Sequence, residues 1–171
     1  YYRLAQAVSF SNSFIKNASE LSGDEVNVFI AEARFLRAYA YYNLLDLYGN
    51  VPLTTEISTE LPTQSNRTEL FNFIESELME IESTLLASNE YGRVDNIAAH
   101  ALLSRLFLNA EAWTGQDRYA DCVTYSQNVI NSGYSLNMND ANGNGTAYDE
   151  LFMADNAVSY THLRAHETFA N

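Results

Sequence analysis

The chain has 171 residues, of which 22 are acidic and nine are basic, and its formal net charge is −13 at pH 7. Nucleic acids and anionic lipids require a basic protein face, so this balance argues against both kinds of partner. Cys122 is the only cysteine, which excludes an internal disulfide and a zinc site built from cysteine and histidine clusters.

Helical periodicity predicts the first two helices, over residues 2–17 and 24–48. Before the second helix, Ser22 and Glu25 have the spacing of a capping box, in which two side chains bond free backbone amides at the start of a helix. Gly49 fits the left-handed position that follows many helices, so we expect the second helix to end there.

A loop and an amphipathic helix are predicted next. Residues 49–65 contain both prolines and show no helical period, which indicates a loop. Residues 67–87 carry apolar side chains at three- and four-residue steps, which predicts a helix with one apolar face. The glutamates of this helix fall mostly on its other faces, and we interpret them as a solvated surface, with a catalytic carboxylate pair as the alternative. These glutamates are Glu69, Glu75, Glu77, Glu80 and Glu82.

A pair of helices follows, over residues 96–112 and 117–131, with Asp95 as the N-cap of the first. The pair and its turn span about 35 residues, which is the length of a tetratricopeptide helix pair. Cys122 occupies a position at which that repeat has a small residue, so we predict a small buried residue there and not a reactive thiol. After the pair, residues 134–137 are predicted to be extended.

Several polar motifs resemble metal sites without completing them. Residues 140–145 match the first six positions of a calcium loop, but Leu151 stands where the bidentate glutamate belongs. We therefore interpret this segment as an Asn/Gly-rich loop without a calcium ion. His162 and His166 have the spacing of a helical metal pair but lack the adjacent glutamate of the H-E-x-x-H motif. His100 lies among apolar residues of a helix, and we predict a core or boundary histidine.

The sequence supports no catalytic residue and no cofactor. It contains no nucleophile elbow, no P-loop and no dinucleotide-binding glycine pattern, so we predict that the protein is not an enzyme. Arg34 and Arg37 lie on the second helix, where a role in ligand binding is conceivable. Because guanidinium groups favour bidentate ion pairs, we interpret both as partners of acidic residues between packed helices.

Aromatic side chains offer the best candidate for a binding surface. Tyrosine, phenylalanine and tryptophan make up 13% of the chain, and sugar rings stack on such side chains. Most of them recur at helical spacing, so core packing is their default role. Tyr91 and Trp113 lie in or beside turns, where functional residues concentrate, and we predict that these two form ligand platforms.

Three segments resemble the SusD/RagB family of outer-membrane nutrient-binding lipoproteins, and they occur in the family's order. They are residues 31–53, AEARFLRAYAYYNLLDLYGNVPL; residues 93–108, RVDNIAAHALLSRLFL; and residues 148–153, YDELFM. The resemblance implies an all-α fold of tetratricopeptide-like helical hairpins, with a short extended element near 134–137. The chain begins without methionine or a lipid-bearing cysteine, so we interpret it as an internal fragment from the N-terminal half of such a protein.

The resemblance also implies a function. Proteins of this family capture oligosaccharides at the outer-membrane surface, without catalysis, for uptake through a SusC-like TonB-dependent transporter. Residues 1–156 would be the fragment of the helical domain. Residues 157–171 fit neither the family pattern nor a helical period, and we predict a non-native or disordered tail. The alternatives are a generic tetratricopeptide interaction scaffold and, less favoured, a fragment of an all-α glycan-active enzyme.

Overall fold

The computed structural model describes residues 1–90, 92–136, 138, 140 and 143–148. The chain divides into two compact units. The first comprises residues 1–89 and 94–132, and the second comprises residues 90–93 and 133–171. Among the described residues, no helix combines the length and the apolar character that crossing a lipid bilayer requires.

The first unit is helical, which confirms the predicted all-α fold. Its elements, in chain order, are α1 (Tyr2–Ala18), α2 (Asp24–Tyr48), β1 (Val51–Pro52), β2 (Gln64–Ser65), α3 (Arg67–Ile81), α4 (Asn96–Leu108), α5 (Ala110–Thr114) and α6 (Tyr119–Ile130). Helix α2 packs against both α1 and α3, while α4 and α6 form an antiparallel hairpin.

Two helix boundaries differ from their predictions. The helix predicted over 67–87 ends at Ile81, although Leu85 still reaches the core through a turn in which its amide bonds the Ile81 carbonyl at 3.0 Å. The helix predicted over 96–112 is interrupted at Asn109, whose φ of −102° and ψ of 6° are not helical. Apolar periodicity continues through both places, because it reports which side chains are buried and not where the backbone bonds end.

The capping box lies at α3 and not at α2, so the prediction for Ser22 and Glu25 is wrong. The N-cap of α2 is Gly23, whose φ of 139° suits glycine and which makes no side-chain cap. At α3, the Asn66 side-chain oxygen accepts the Glu69 amide at 3.0 Å, and the Glu69 carboxylate accepts the Asn66 amide at 3.0 Å. Asparagine is as good an N-cap as serine, so this pattern was available in the sequence.

We expect Asn66→Ala to lower the free energy of unfolding by about 1 kcal/mol, because the Glu69 backbone amide loses its side-chain acceptor at the start of α3. Chemical denaturation followed by far-UV circular dichroism measures this change. Thr63→Ala is the matched control, since Thr63 is an exposed loop residue three positions earlier. Equal midpoints for the two variants would contradict a stabilising role for the capping box.

The loop predicted over 49–65 contains a short sheet that the sequence did not indicate. Val51 pairs with Ser65 and Pro52 with Gln64 in an antiparallel ladder. A two-residue strand is too short to show an alternating pattern, and proline cannot donate to a ladder, so only the folded chain identifies this pairing. The ladder brings the end of α2 close to the start of α3.

The core lies along α2, which is apolar on two sides because two helices cover it. Its side chains pack with those of α3 and α4. The helices follow one another along the chain in the predicted order. The largest fully buried side chains are Tyr41, Leu45, Val51, Leu70, Ile74, Leu78, Ile81, Leu103, Leu106 and Phe107. Residues 134–136 form no strand, and residue 137 is outside the described residues, so the extended element near 134–137 stays a prediction.

Candidate functional site

A buried charge cluster joins α1, α2 and α3, and it confirms that Arg34 and Arg37 pair with acidic residues. Arg34 donates to Glu77 Oε1 through Nε at 3.1 Å and Nη2 at 2.7 Å. Arg37 donates to Glu77 Oε2 through Nε at 3.1 Å and Nη2 at 2.5 Å. Burial lowers the pKa of Arg34, but hydrogen bonds to Glu77 and Glu80 outweigh it, and the net pKa lies above the ordinary value.

The same cluster fixes the loop after β1. Arg37 also donates to the Asn12 side chain at 2.8 Å and to the Thr55 carbonyl at 3.4 Å, and Asn12 donates to the Thr54 carbonyl at 3.0 Å. The Tyr41 hydroxyl donates to that carbonyl at 3.0 Å and accepts the Thr54 amide at 2.8 Å. The polar groups of the cluster therefore satisfy one another, which gives them a structural role.

The interpretation of the α3 glutamates as a solvated surface is wrong for three of them. Glu77 is buried between two arginines, as described above. Glu75 pairs with Arg118 at 2.9 Å, and Glu82 lies 2.7 Å from His100 Nε2. The reason is that α2 covers one side of α3 while α4 lies against another, which the periodicity of α3 alone does not reveal. With basic partners in place, these carboxylates do not form a free catalytic pair.

The prediction for His100 is confirmed at the interface of α4 with α6, whereas Cys122 is less buried there than predicted. His100 is only 8% exposed, and its ring lies 5.4 Å from that of Tyr125, so it is a core histidine. Burial raises the pKa of Tyr125, and the nearby Glu82 carboxylate adds to that rise. Cys122 is a half-buried free thiol, 3.7 Å from the Ser104 hydroxyl, where small side chains let the two helices approach.

The calcium-like segment belongs to the second unit. The Asp140 carboxylate accepts the amides of Gly143, Asn144 and Gly145 at 2.8, 3.1 and 2.7 Å, respectively, which supports the Asn/Gly-rich loop. Leu151, His162 and His166 lie outside the described residues, as do residues 149–153 and 157–171. Within the described part of the chain, no three acidic, histidine or cysteine side chains are grouped to hold a metal ion.

Trp113 belongs to a surface that we call the Trp113 patch. We define it as Trp113, Tyr42, Thr68 and Arg105, which contact one another, and Arg67, which precedes Thr68 at the start of α3. The half-buried Trp113 ring meets Tyr42 edge to face, with ring centroids 5.8 Å apart. The guanidinium of Arg105 lies 5.4 Å from the centroid of the same Tyr42 ring. The Thr68 hydroxyl donates to the Trp113 carbonyl at 3.4 Å, which links the start of α3 to α5.

Tyr42 is the buried base of this patch. It is 4% exposed, and burial raises the pKa of its hydroxyl. The positive charge of Arg105 acts against this effect, but the net pKa lies above the ordinary value. Sequence reasoning selected Trp113 from its place beside a turn but assigned no role to Arg67 or Arg105. Tyr91, the other predicted platform, lies outside the described residues, so both site residues remain predictions.

A second concave surface lies between α1, α2 and the loop after β1. It holds about 180 Å³ and is lined by Tyr1, Ala5, Val8, Ser9, Tyr41, Leu44, Pro52, Thr54 and Pro62. Pockets for small ligands usually hold roughly 300 to 1,000 Å³, so this cleft is small. Its best-placed polar groups, on Tyr41 and Thr54, already bond each other. The cleft therefore offers less to a sugar than the Trp113 patch does.

Two solved structures show the same fold as this chain. A SusD superfamily protein from Parabacteroides distasonis superposes with a TM-score of 0.71 at 29% identity, covering 78% of this chain and 31% of that protein. A structure with xylogluco-oligosaccharide superposes with a TM-score of 0.71 at 26% identity, covering 78% of this chain and 29% of that one. The resemblance of the sequence to this fold is thereby confirmed.

Sequence comparison agrees with the fold. The starch-binding protein SusD of Bacteroides thetaiotaomicron is 39% identical over 158 residues, which is 91% of this chain and 27% of SusD. The chain thus spans about a quarter of the length of this relative. A family model of SusD-like proteins, described as starch-binding and associating with the outer membrane, matches residues 1–108. Since that match covers more than half of the sequence, the chain belongs to the SusD-like family.

Proposed function

We propose that the full-length protein binds oligosaccharides without converting them, as a surface-exposed lipoprotein of the outer membrane. The observation that carries this proposal is the 39% identity to the starch-binding protein SusD across 91% of the chain. The structural likeness to a protein solved with a xylogluco-oligosaccharide supports it.

The test is a binding panel with the full-length protein. Isothermal titration calorimetry against maltose-, xyloglucan- and laminarin-type oligosaccharides should give saturable binding of at least one of them. Chromatography of the same mixtures after long incubation should return each oligosaccharide at its original length. Shortened products would contradict the non-catalytic part of the proposal. Failure to bind any oligosaccharide would contradict the whole.

Trp113, which lies within the described part of the chain, is the proposed contact to the sugar, and Tyr91, which lies outside that part, is the second proposed platform. The edge-to-face contact with Tyr42 holds the Trp113 ring in one orientation, so stacking a sugar on its open face costs little conformational entropy. We expect Trp113→Ala to weaken binding by about 1–2 kcal/mol, which is roughly a five- to thirtyfold rise in Kd.

Two control variants separate the loss of the platform from a loss of folding. Trp113→Phe keeps an aromatic ring against Tyr42 and should retain most of the affinity. Tyr2→Ala removes an exposed aromatic ring from α1 and should leave the affinity unchanged. Tyr91→Ala tests the second platform in the same titrations. Unchanged affinity of a folded Trp113→Ala variant would remove Trp113 from the proposed site.

We propose further that a SusC-like TonB-dependent transporter is the partner that receives the oligosaccharide. The family's description as associating with the outer membrane supports this partnership. The test is co-expression of the tagged protein with the TonB-dependent transporter from its own gene neighbourhood, followed by purification in mild detergent. A stoichiometric complex is the expected result. Separate elution of two folded proteins would contradict the partnership.

A further inference from the structure

Two exposed guanidinium groups in the Trp113 patch have no acidic partner. The chain is strongly acidic, and three of its arginines, Arg34, Arg37 and Arg118, form ion pairs with carboxylates. Arg67 and Arg105 are exposed, and neither forms an ion pair within the part of the chain that the structure describes. Their positive charges are therefore available to a ligand beside Trp113.

Packing holds Arg105 in place. Its guanidinium carbon lies 5.4 Å from the centroid of the Tyr42 ring, and Trp113 lies edge to face against the same ring at 5.8 Å. A guanidinium that stacks on an aromatic ring keeps its N–H groups in the plane of the stack, where they can meet a second molecule. Tyr42 thus places a cationic donor next to the predicted sugar platform.

The second guanidinium lies across the bare backbone of Gly49. A Cβ atom at Gly49 would lie 2.7 Å from Arg67 Nε and 3.0 Å from its Nη2, so a larger residue there would displace the Arg67 side chain. The next residue, Thr68, donates its hydroxyl to the Trp113 carbonyl. The partial negative charge at the C-terminal end of α2 accounts for the position of the Arg67 guanidinium. This partial charge is not an ion pair, so it leaves the guanidinium able to bind an anion.

Three acidic residues belong to the same part of the fold as the patch, and none of them pairs with Arg67 or Arg105. Asp46 on α2 acts on the Tyr42 hydroxyl, where its charge opposes that of Arg105. It pairs with neither Arg67 nor Arg105. The Glu69 carboxylate accepts the Asn66 amide, and the Glu111 carboxylate accepts the Tyr119 hydroxyl. Arg67 and Arg105 are both exposed, and within the described residues none of these three carboxylates forms an ion pair with either of them.

We infer that the Trp113 patch selects an oligosaccharide that carries carboxylate or sulfate groups. Trp113 would receive the face of a sugar ring, and Arg105, with Arg67, would donate to the anionic substituent of that ring or its neighbour. This inference rests on the proposed function, because it specifies the charge of the ligand at the same site. Guanidinium donors match the paired oxygens of both anions, so the shared chemistry is an oxyanion on a sugar.

The experiment titrates the full-length protein with a galacturonic acid trimer, a sulfated galactose oligosaccharide and neutral maltotriose. At least one of the acidic probes should bind, more tightly than maltotriose, and its affinity should fall as salt is raised. Arg105→Gln and Arg67→Gln should each weaken binding of the acidic probe roughly tenfold, because each removes a charge-assisted hydrogen bond. Arg105→Lys, which keeps the charge, should retain part of the affinity.

Lys16→Gln is the matched control, since it removes an exposed positive charge from α1 and should leave the affinity unchanged. The acidic probe that binds identifies the source of the anion as a uronic acid or a sulfate ester. Binding of maltotriose with no binding of an acidic probe, or unchanged affinity in Arg105→Gln, overturns the inference and leaves the proposed function standing. No binding of any of the three probes also overturns the inference, while the proposed function fails only if the neutral oligosaccharides of the first panel do not bind either.

Discussion

Glu77→Gln should lower the free energy of unfolding by about 3–5 kcal/mol, the range for breaking a buried ion pair. The Glu77 side chain is 8% exposed and Arg37 is 6% exposed, so water cannot replace the lost carboxylate. Glutamine has the same shape, but its amide nitrogen would face the N–H groups of one arginine. The lost stability is therefore electrostatic in origin, because packing stays nearly constant. Urea denaturation measures the change in the free energy of unfolding.

Glu80→Gln is the matched control for this experiment. Glu80 contacts the same Arg34 at 2.6 Å, but its side chain is 63% exposed, so the variant should lose no more than about 1 kcal/mol. A second test is the pair Arg37→Met with Glu77→Met. Removing both charges should cost less than Glu77→Gln alone, because Arg34, the arginine of the cluster that remains, still pairs with Glu80. Equal losses for Glu77→Gln and Glu80→Gln would contradict the importance of burial.

Gly49→Ala should destabilise the protein by about 1–3 kcal/mol, the cost of holding a non-glycine residue in a sparsely populated backbone conformation. Gly49 has a φ of 75° and a ψ of −88°, which lies outside the left-handed helical region that asparagine or alanine can visit. The new Cβ would also displace Arg67. The midpoint of chemical denaturation measures the sum of these two effects.

Two further variants separate the backbone effect from the displaced side chain. Gly115→Ala is the matched control, since Gly115 has a φ of 76°, a ψ of 6° and open space around its Cβ position. It should lose less stability than Gly49→Ala. Adding Arg67→Ala to Gly49→Ala removes the close contact and leaves the backbone cost. If Gly49→Ala and Gly115→Ala lose equal stability, the conformation at Gly49 has no special cost.

Both predictions concern the segment that resembles the family most strongly, residues 31–53. Its arginines are held by Glu77, and two of its four tyrosines, Tyr41 and Tyr42, are buried. The segment therefore identifies the family through its scaffold, and it contributes to the proposed ligand surface only as the base on which Trp113 and Arg105 rest. Ligand specificity is expected from exposed side chains around it.

The sequence alone determined the local features of this protein. Periodicity located the helices, glycine at position 49 marked the end of α2, and the apolar surroundings of His100 placed it in the core. These features depend on neighbours within a few residues along the chain, so pattern and propensity are sufficient to find them. Tyr91 and the 157–171 tail remain predictions, since the described residues do not include them.

Only the tertiary structure decided which helix face meets which partner. The burial of Glu77, the ladder between Val51 and Ser65, and the meeting of Trp113 with Arg105 over one tyrosine ring all join residues distant in sequence. A glutamate on a helix looks the same in sequence whether it faces water or two arginines from the helix beside it. Which of these holds depends on how the helices pack, because burial is what turns an ordinary charge into one that needs a partner.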